Sequence, residues 1–541
     1  MRSVKVCLFL LVLILGCVVG LNIRNVKADP RTIYVDVKNH GDEDGSRQHP
    51  FNTIQEGINN ATDGDTVFVF NGTYYLNESI NLNKSIHLSG EDKYLTVIDG
   101  NKTDENYTSW RNFAGIYVTA SNVTIERFTM QKAGIGIELQ SSNFSIIRDN
   151  VIITDLFYNT GAYNLSSRGV YLEHSCNNAL YNNNLTNNSF GVWLHFSSNY
   201  NNITNNLISS EAKETDPARY LDGICIYYSN HNNAINNTIS KLWDCGFGLS
   251  NACNNNVQDN IITDVYGRYD PQHFGYGIVL CYSSHYNIVT NNSISNSDPW
   301  GIQLSTNCDG NSVQHNTVTN SSECGVRLME YCNGNDLIFN NIVNNSMGIL
   351  LSDSSNNNVY HNNFINNTSH VYSVNSTNVW NSNYPSGGNY WTGHNWNDTH
   401  KGPNQNEPGW DGISDTAYQL DQNNTDHYPT MNTWPLYQLK VETWAIGDGK
   451  IETAGVWVNE TEPHQNSTAY CLLKPGTYSV MVEACFTRQD PWDPTKFYDY
   501  FFDHWEDNSK QNPRTIALNT NKTLIAYYKV RIWYIEKAPS E

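Results

Sequence analysis

Six side chains able to do chemistry recur at matching offsets in this sequence: Glu138, Tyr171, Glu173, Trp193, His195 and Tyr227. Each stands two or four residues after a glycine in the pattern Gly-apolar-x-apolar-x. Carboxylates accept hydrogen bonds from hydroxyls or move protons, and His195 titrates nearest neutrality. Aromatic faces stack on sugar rings. Glu173 and His195 form an acid/base pair if their segments are neighbours, and Glu138 and Glu173 would suit hydrolysis if they flank a glycosidic bond. The mixture suits a sugar polymer. Glu173 and His195 are the catalytic candidates here, and Glu138, Tyr171, Trp193 and Tyr227 the binding candidates.

The elements that must position them are repeats. Gly-apolar-x-apolar returns at Gly115, Gly136, Gly169, Gly191, Gly223, Gly246, Gly277, Gly301, Gly325 and Gly348, followed each time by a polar, Asn-rich run. Where nothing is inserted the spacing is about 22–24 residues, the range of stacking solenoid units. The internal period is two, so these are strands with one apolar face. An Asn closes a second strand in each unit, at Asn150, Asn183, Asn206, Asn237, Asn260, Asn292 and Asn316. Stacked amides can bond along such a column. The expectation is an all-β parallel β-helix with coils about 4.8 Å apart.

Stacking then builds two outward columns. One reads Tyr117, Glu138, Tyr171, Trp193, Cys225, Gly248, Val279, Gln303, Arg327; the other Thr119, Gln140, Glu173, His195, Tyr227, Ser250, Cys281, Ser305, Met329. Both are expected to face solvent. Insertions at Ile153–Arg168, Ser209–Asp222 and Thr263–Tyr276 each fall just before a repeat glycine, which puts them in a row at one corner. Insertions gathered on one face are often a binding face.

The formal net charge of −21 over 541 residues argues against nucleic acid, whose phosphates need Lys/Arg clusters, and against anionic lipid surfaces. Arg2 and Lys5 precede an apolar run from Val6 to Leu21, and Val26-Lys27-Ala28 offers a cleavage site, so residues 1–28 read as an export signal. Ile14-Leu15-Gly16-Cys17 offers a lipoprotein-type alternative, and a retained anchor is a third. Export places the protein outside the cell or on its surface. Of twelve cysteines, Cys7 and Cys17 lie in the signal, leaving ten. Cys308 and Cys332 share one offset and are expected to stack as a disulfide or a thiol ladder. Cys471 and Cys485 are placed in one hairpin. No CxxC occurs, so zinc is not expected. The sequons, such as Asn122-Val123-Thr124 and Asn202-Ile203-Thr204, allow glycosylation but also arise from Asn-rich turns beside Ser/Thr.

Taken in order, Thr32–Asp36 reads as a strand, His49–Ile58 as a short helix and Asp63–Val69 as a strand, a capping unit for the solenoid. The run from Pro50 through Gly72-Thr73-Tyr74, with Ile86-His87-Leu88-Ser89-Gly90 and Val97-Ile98-Asp99-Gly100, resembles the opening of pectin-lyase-like right-handed β-helices, nearest the NosD-like group. Gly388-Asn389-Tyr390-Trp391, Asp411 to Thr416 and Asp426-His427-Tyr428-Pro429 are similar to the NosD-type terminal segment. The resemblance covers roughly 31–434 and supplies the right-handedness. It implies a fold rather than an activity, because this fold hosts lyases, epimerases, hydrolases and inert surface proteins. NosD implies a role in maturing a copper site. Methionine numbers only six and no Met/His cluster occurs, so copper is not expected.

The third insertion, Tyr266-Gly267-Arg268-Tyr269-Asp270-Pro271-Gln272-His273, is similar to the Tyr-Gly-x-Asp-Pro-His core of alginate epimerases. That likeness implies that Tyr266, Asp270 and His273 serve abstraction and return of a sugar C5 proton. The sequence departs from it by one residue before Asp270 and by Gln272 between Pro and His. Cations for an acidic polymer are available at Arg168, Lys213, Arg219 and Arg268, diluted by Glu211, Glu214 and Asp216. Asp411, Asp415, Asp421 and Asp426 lie in a Gly-containing loop of oxygen donors, and calcium is the ion such ligands accept, with Asp411, Asp415 and Asp421 as its candidate ligands.

From Leu436 the repeat gives way to alternating strands, read as a β-sandwich similar to accessory repeats of prokaryotic surface proteins. The expected organisation is signal 1–28, cap and first coils 29–114, repeats 115–385, exit segment 386–434 and sandwich 435–541. The expected function is binding of carbohydrate polymers at the cell surface or outside the cell. The alternatives are a polysaccharide lyase, epimerase or hydrolase on the same face, and a structural or adhesive spacer.

Overall fold

In the computed structural model, residues 29–101, 113–154, 167–210, 221–267, 274–393, 397–447, 449–451, 454–459 and 468–535 are described. Each turn of the chain lays one strand into each of three parallel sheets. The first sheet has 13 strands, from Thr32–Val35 to Asn358–Tyr360; the second has 13, from Gly72–Tyr75 to Tyr390–Trp391; the third has 12, from Ile80–Leu82 to Ser369–Val374. The fold is a right-handed parallel β-helix. Its core is the inward half of the alternation: Ile137, Leu139, Val170, Leu172, Val192 and Leu194 are all fully buried in one continuous apolar cluster.

Asparagine ladders hold the corners. Asn150, Asn183, Asn206, Asn237, Asn260, Asn292 and Asn316 each donate from Nδ2 to Oδ1 of the next coil's Asn at 3.0–3.1 Å. The column runs on through Asn340 and Asn362 to Asn389. A second ladder, absent from the sequence reading, runs from Asn178 through Asn201, Asn232, Asn255, Asn287, Asn311, Asn335 and Asn357 to Asn378 at 2.9–3.2 Å. Buried amides need such partners, and a stack supplies them at every level.

The recurrent glycine has a steric cause. A Cβ on Gly169 would lie 2.5 Å from the Gly191 carbonyl oxygen and 2.6 Å from Leu185 Cδ2. The strand ladder skips the glycines, passing from Ile135↔Arg168 to Ile137↔Val170. Alternation is interrupted there, and the residue before each glycine joins the outward face.

The helix spans Ile54–Asn60 rather than starting near His49. Thr53 caps it in a capping box with Glu56, whereas Phe51 is still in a bridge to Val35. At the other end Trp391 stacks on Phe364, with ring centroids 4.3 Å apart, and donates from Nε1 to buried Asp426 at 2.9 Å. Beyond it, a six-stranded sheet and a three-stranded antiparallel sheet share an apolar core that includes Leu439, Val456, Val480, Trp505 and Tyr528.

Cys471 and Cys485 are not hairpin partners. Cys471 lies on Thr468–Leu473, paired with Tyr437–Ala445, while Cys485 lies on Cys485–Gln489, paired with Lys496–Trp505. Cys308 and Cys332 do stack, as free buried thiols, with the Cys308 amide donating to Cys332 Sγ at 3.3 Å. They continue a serine column in which Ser142, Ser175, Ser198 and Ser229 are joined the same way.

Candidate functional site: an acid/base cleft on the third sheet

The outward columns fall in the expected register: Tyr117↔Glu138↔Tyr171↔Trp193↔Cys225, beside Gln140↔Glu173↔His195↔Tyr227. They are less exposed than expected. Tyr171, Cys225, Gln303 and Ser305 are buried, because the residues preceding the glycines pack over them. That third column, Ala114, Ile135, Arg168, Phe190, Asp222, Cys245, Tyr276, Trp300, follows from the skipped glycine pairs.

Arg168 thereby becomes the centre of the site. Its guanidinium carbon lies 4.6 Å from the Tyr171 ring centroid and 4.7 Å from that of Trp193. Sequence placed Arg168 beside a loop; it opens the strand Arg168–Glu173. With Tyr117, Glu138, Tyr171 and Glu173 it lines an open cleft of about 450 Å³. The Tyr171 hydroxyl lies 3.1 Å from His195 Nδ1. The Trp193 ring is tilted over His195, centroids 4.9 Å apart, and meets Tyr227 edge-on at 5.8 Å.

Burial sets the protonation states. It pushes the Glu138 carboxyl up to about 7, against the pull of Arg168 and with repulsion from Glu173 adding to the rise. It holds His195 below the usual imidazole value, which Glu173 only partly offsets. It raises the Tyr171 phenol well above its ordinary range. Near neutrality the cleft therefore holds a neutral imidazole, a protonated phenol, a carboxyl that exchanges its proton and a fixed cation. Such a set can bind a carboxylate and move a proton.

A second, larger cleft of about 830 Å³ continues along the same face, lined by Tyr227, Cys245, Tyr276, Trp300, Gln303 and Arg327 among others. Arg327 covers the Trp300 ring at 4.1 Å. Sequence reading missed Trp300 and Tyr276; their place directly before Gly301 and Gly277 was the available signal. Asp222 and Cys245 in the wall of this cleft meet Cys225 behind them, one donor atom from each lying within 4.8 Å of the others.

Asp270, His273, Arg219 and Arg268 lie outside the described residues, as do Lys213 and the signal at 1–28. The strands that flank the three insertions show that each lies between a second-sheet and a third-sheet strand. Residues 102–112 fill the same connection one level earlier. The anticipated calcium ligands do not converge. Asp411 accepts from Ile413 N and Gln405 Nε2, Asp415 from His400 N and Thr399 Oγ1, and Asp421 from Asn423 N and Asn424 Nδ2. Asp426 takes the amides of Asn389 and Tyr428. Asp411 and Asp421 hold local turns, whereas Asp415 and Asp426 tie together segments distant in sequence.

No helix among the described residues is long and apolar enough to cross a membrane. In the solved structures, the chain is similar to a mannuronic acid specific polysaccharide family 6 lyase from human gut microbiota, with a TM-score of 0.50, 15% identity and coverage of 67% of this chain and 86% of that one. It is also similar to the Azotobacter vinelandii mannuronan C-5 epimerase AlgE6 A-module, with a TM-score of 0.42, 14% identity and coverage of 66% and 92%. A GH87 α-1,3-glucanase catalytic unit from Streptomyces thermodiastaticus gives 0.45, 13%, 66% and 67%. At these identities the likeness is one of fold. No curated protein matches the chain. The family described as "Periplasmic copper-binding protein (NosD)" matches residues 50–217 and 210–395. Those matches span well over half of the 541 residues and include the whole acid/base cleft, so the protein belongs to the NosD family.

Proposed function

We propose that this is an exported protein that binds an acidic polysaccharide along the outward face of its third sheet. The observation that carries the reading is Arg168, held over the Tyr171 and Trp193 rings beside Glu138 in an open cleft. The guanidinium's contact with each ring, worth about 0.5–2 kcal/mol, holds it in place to meet a sugar carboxylate. The cleft runs on to Trp300 and Arg327, so several sugar units could be engaged. The polysaccharide named for the lyase above is acidic too. The family's description as periplasmic supports export.

The test is retention on an array of neutral and acidic polysaccharides by the wild-type protein and by Arg168→Ala and Trp193→Ala. Selective retention of acidic polymers, lost in both variants, supports the reading. Unchanged retention in both removes it from this face.

A second reading is a proton-transfer enzyme, a lyase or epimerase. It is favoured by the 3.1 Å contact between the Tyr171 hydroxyl and His195 Nδ1. Neutral His195 would take a proton α to the sugar carboxylate, Arg168 would hold that carboxylate and Tyr171 would donate. The same array, read for cleaved or epimerised products, separates the two.

Copper, which the family description names, prefers soft donors in its reduced state. Among the described residues, Asp222, Cys225 and Cys245 offer two thiols and a carboxylate, which fit the reduced ion. When bound, copper would supply electron-transfer capacity or simply cargo; the residues' own part is to hold it.

A further inference from the structure

The residue directly before each rung of the first asparagine ladder has a left-handed backbone. From Asp149 through Asn182, Asn205, Asn236 and Asp259 to Asn291 its φ is 55–56°, a conformation that Asn and Asp adopt readily. In the last three coils the position passes to ring residues, His315, Phe339 and His361, with φ of 54–60°. A ring residue is strained there, so turn geometry does not account for the change. Packing accounts for part of it. His361 lies against Trp434, centroids 4.0 Å apart, and Phe339 meets the same indole edge-on at 5.7 Å. His315 extends the stack, 5.0 Å from Phe339 and 5° from parallel, and remains exposed.

The three rings line an open cleft of about 570 Å³ between the last coils and the C-terminal sheets. Small-molecule sites span about 300–1,000 Å³ and favour such junctions. From the C-terminal side the cleft is lined by Gln438 and the turn residues Asn519, Thr520 and Asn521. Asn521 Oδ1 accepts from the Gln438 backbone amide at 2.8 Å, which fixes that edge. No Asp, Glu, Lys or Arg among the described residues lines the cleft. His361 is neutral too: its Nε2–H donates to the Ser386 carbonyl at 3.0 Å, and burial pushes the imidazole down to about 4. That leaves Nδ1 as a buried acceptor without a protein partner, in a residue 6% exposed.

We propose that this cleft binds a neutral sugar residue. A pyranose lays its apolar C–H face on the His315 and Phe339 rings and turns its hydroxyls to the uncharged amides of Gln438 and Asn519. A charged ligand finds no counter-charge there, which separates this cleft from the one around Arg168. Its C-terminal side lies beyond residue 395, where the family match ends, so the site is not a property of the NosD repeats. It does not rest on the acidic-polymer reading.

The experiment is saturation-transfer NMR and calorimetry on the full-length protein with the methyl glycosides of glucose, galactose, mannose and N-acetylglucosamine. N-acetyltryptophanamide serves as an aromatic control. At least one glycoside should bind, with saturation concentrated on the C–H protons of one ring face. His315→Asn/Gln438→Ala should weaken that binding at least about fivefold. The first change restores the residue type that the coil before holds at Asn291, so the fold is kept. Should the double variant melt early, His315→Asn alone carries the test, with a loss of at least about twofold. No binding of any glycoside, equal binding by the wild-type and variant proteins, or binding of N-acetyltryptophanamide in place of the glycosides would overturn the proposal.

Discussion

The Tyr171 hydroxyl lies 3.1 Å from Nδ1 of His195, the two residues standing one coil apart, and burial favours the neutral form of each. The direction of the bond follows the imidazole tautomer: with the proton on Nδ1 the imidazole donates to the phenol oxygen and Nε2 is left free to take a proton. Tyr171→Phe should keep the fold within about 1 kcal/mol, the net worth of one hydrogen bond. It should weaken polymer retention about fivefold or less and abolish any cleaved or epimerised product. Thermal melts, retention and product analysis on the same variant check this; product formed at the wild-type rate would exclude Tyr171 from proton transfer.

Glu138 gives the site a pH dependence. Its carboxyl, raised to about 7 mainly by burial, gains a negative charge across neutrality, next to where Arg168 would hold a sugar carboxylate. Repulsion worth about 1 kcal/mol or more should then weaken retention of an acidic polymer roughly fivefold as pH rises through 7. Glu138→Gln should flatten that profile. Stability follows the same sign: a carboxyl whose folded pKa is raised favours the folded state least above about 7, with the loss setting in as pH rises from the unfolded value near 4.5. Melts of the wild-type and Glu138→Gln proteins should diverge over that window and run parallel outside it.

Asn237 tests the ladders. Its amide donates to Asn260 Oδ1 and to the Ile203 carbonyl, and its oxygen accepts from Asn206. Asn237→Ala orphans buried groups on two neighbouring coils and should cost about 2–4 kcal/mol. Exposed Asn202→Ala should stay within about 0.5 kcal/mol. Denaturant unfolding of both variants measures the difference; equal midpoints would mean that the ladder adds nothing to stability.

Gly169→Ala should be worse than an ordinary core overpacking, which costs about 1–3 kcal/mol. The new Cβ would lie 2.5 Å from a backbone carbonyl that belongs to the next coil and cannot rotate away. Lower soluble yield and a depressed melting temperature are expected, with loss of polymer retention, because Arg168 is the adjacent residue. A variant as stable as wild type would show that the coils can part at no cost.

The solenoid, its inward apolar face, one Asn ladder and the two outward columns were legible in the sequence. A repeat states its own stacking rule: the same offset in each unit must occupy the same column, so Tyr171 over Glu138 and His195 over Glu173 follow from counting alone. The second ladder is equally countable, at Asn178, Asn201 and Asn232.

Tertiary structure decided what the period of two could not express. Where the ladder skips the glycines, strict alternation stops, and Arg168, Asp222, Cys245 and Trp300 turn onto the outward face. That irregularity covers Tyr171 and Cys225, raises the Glu138 pKa and brings two cysteines and a carboxylate within bonding reach of one ion. Sequence spacing determines which residues share a column. How the columns lean on one another depends on backbone geometry at the glycines, and from that come burial and charge coupling, and with them the chemistry.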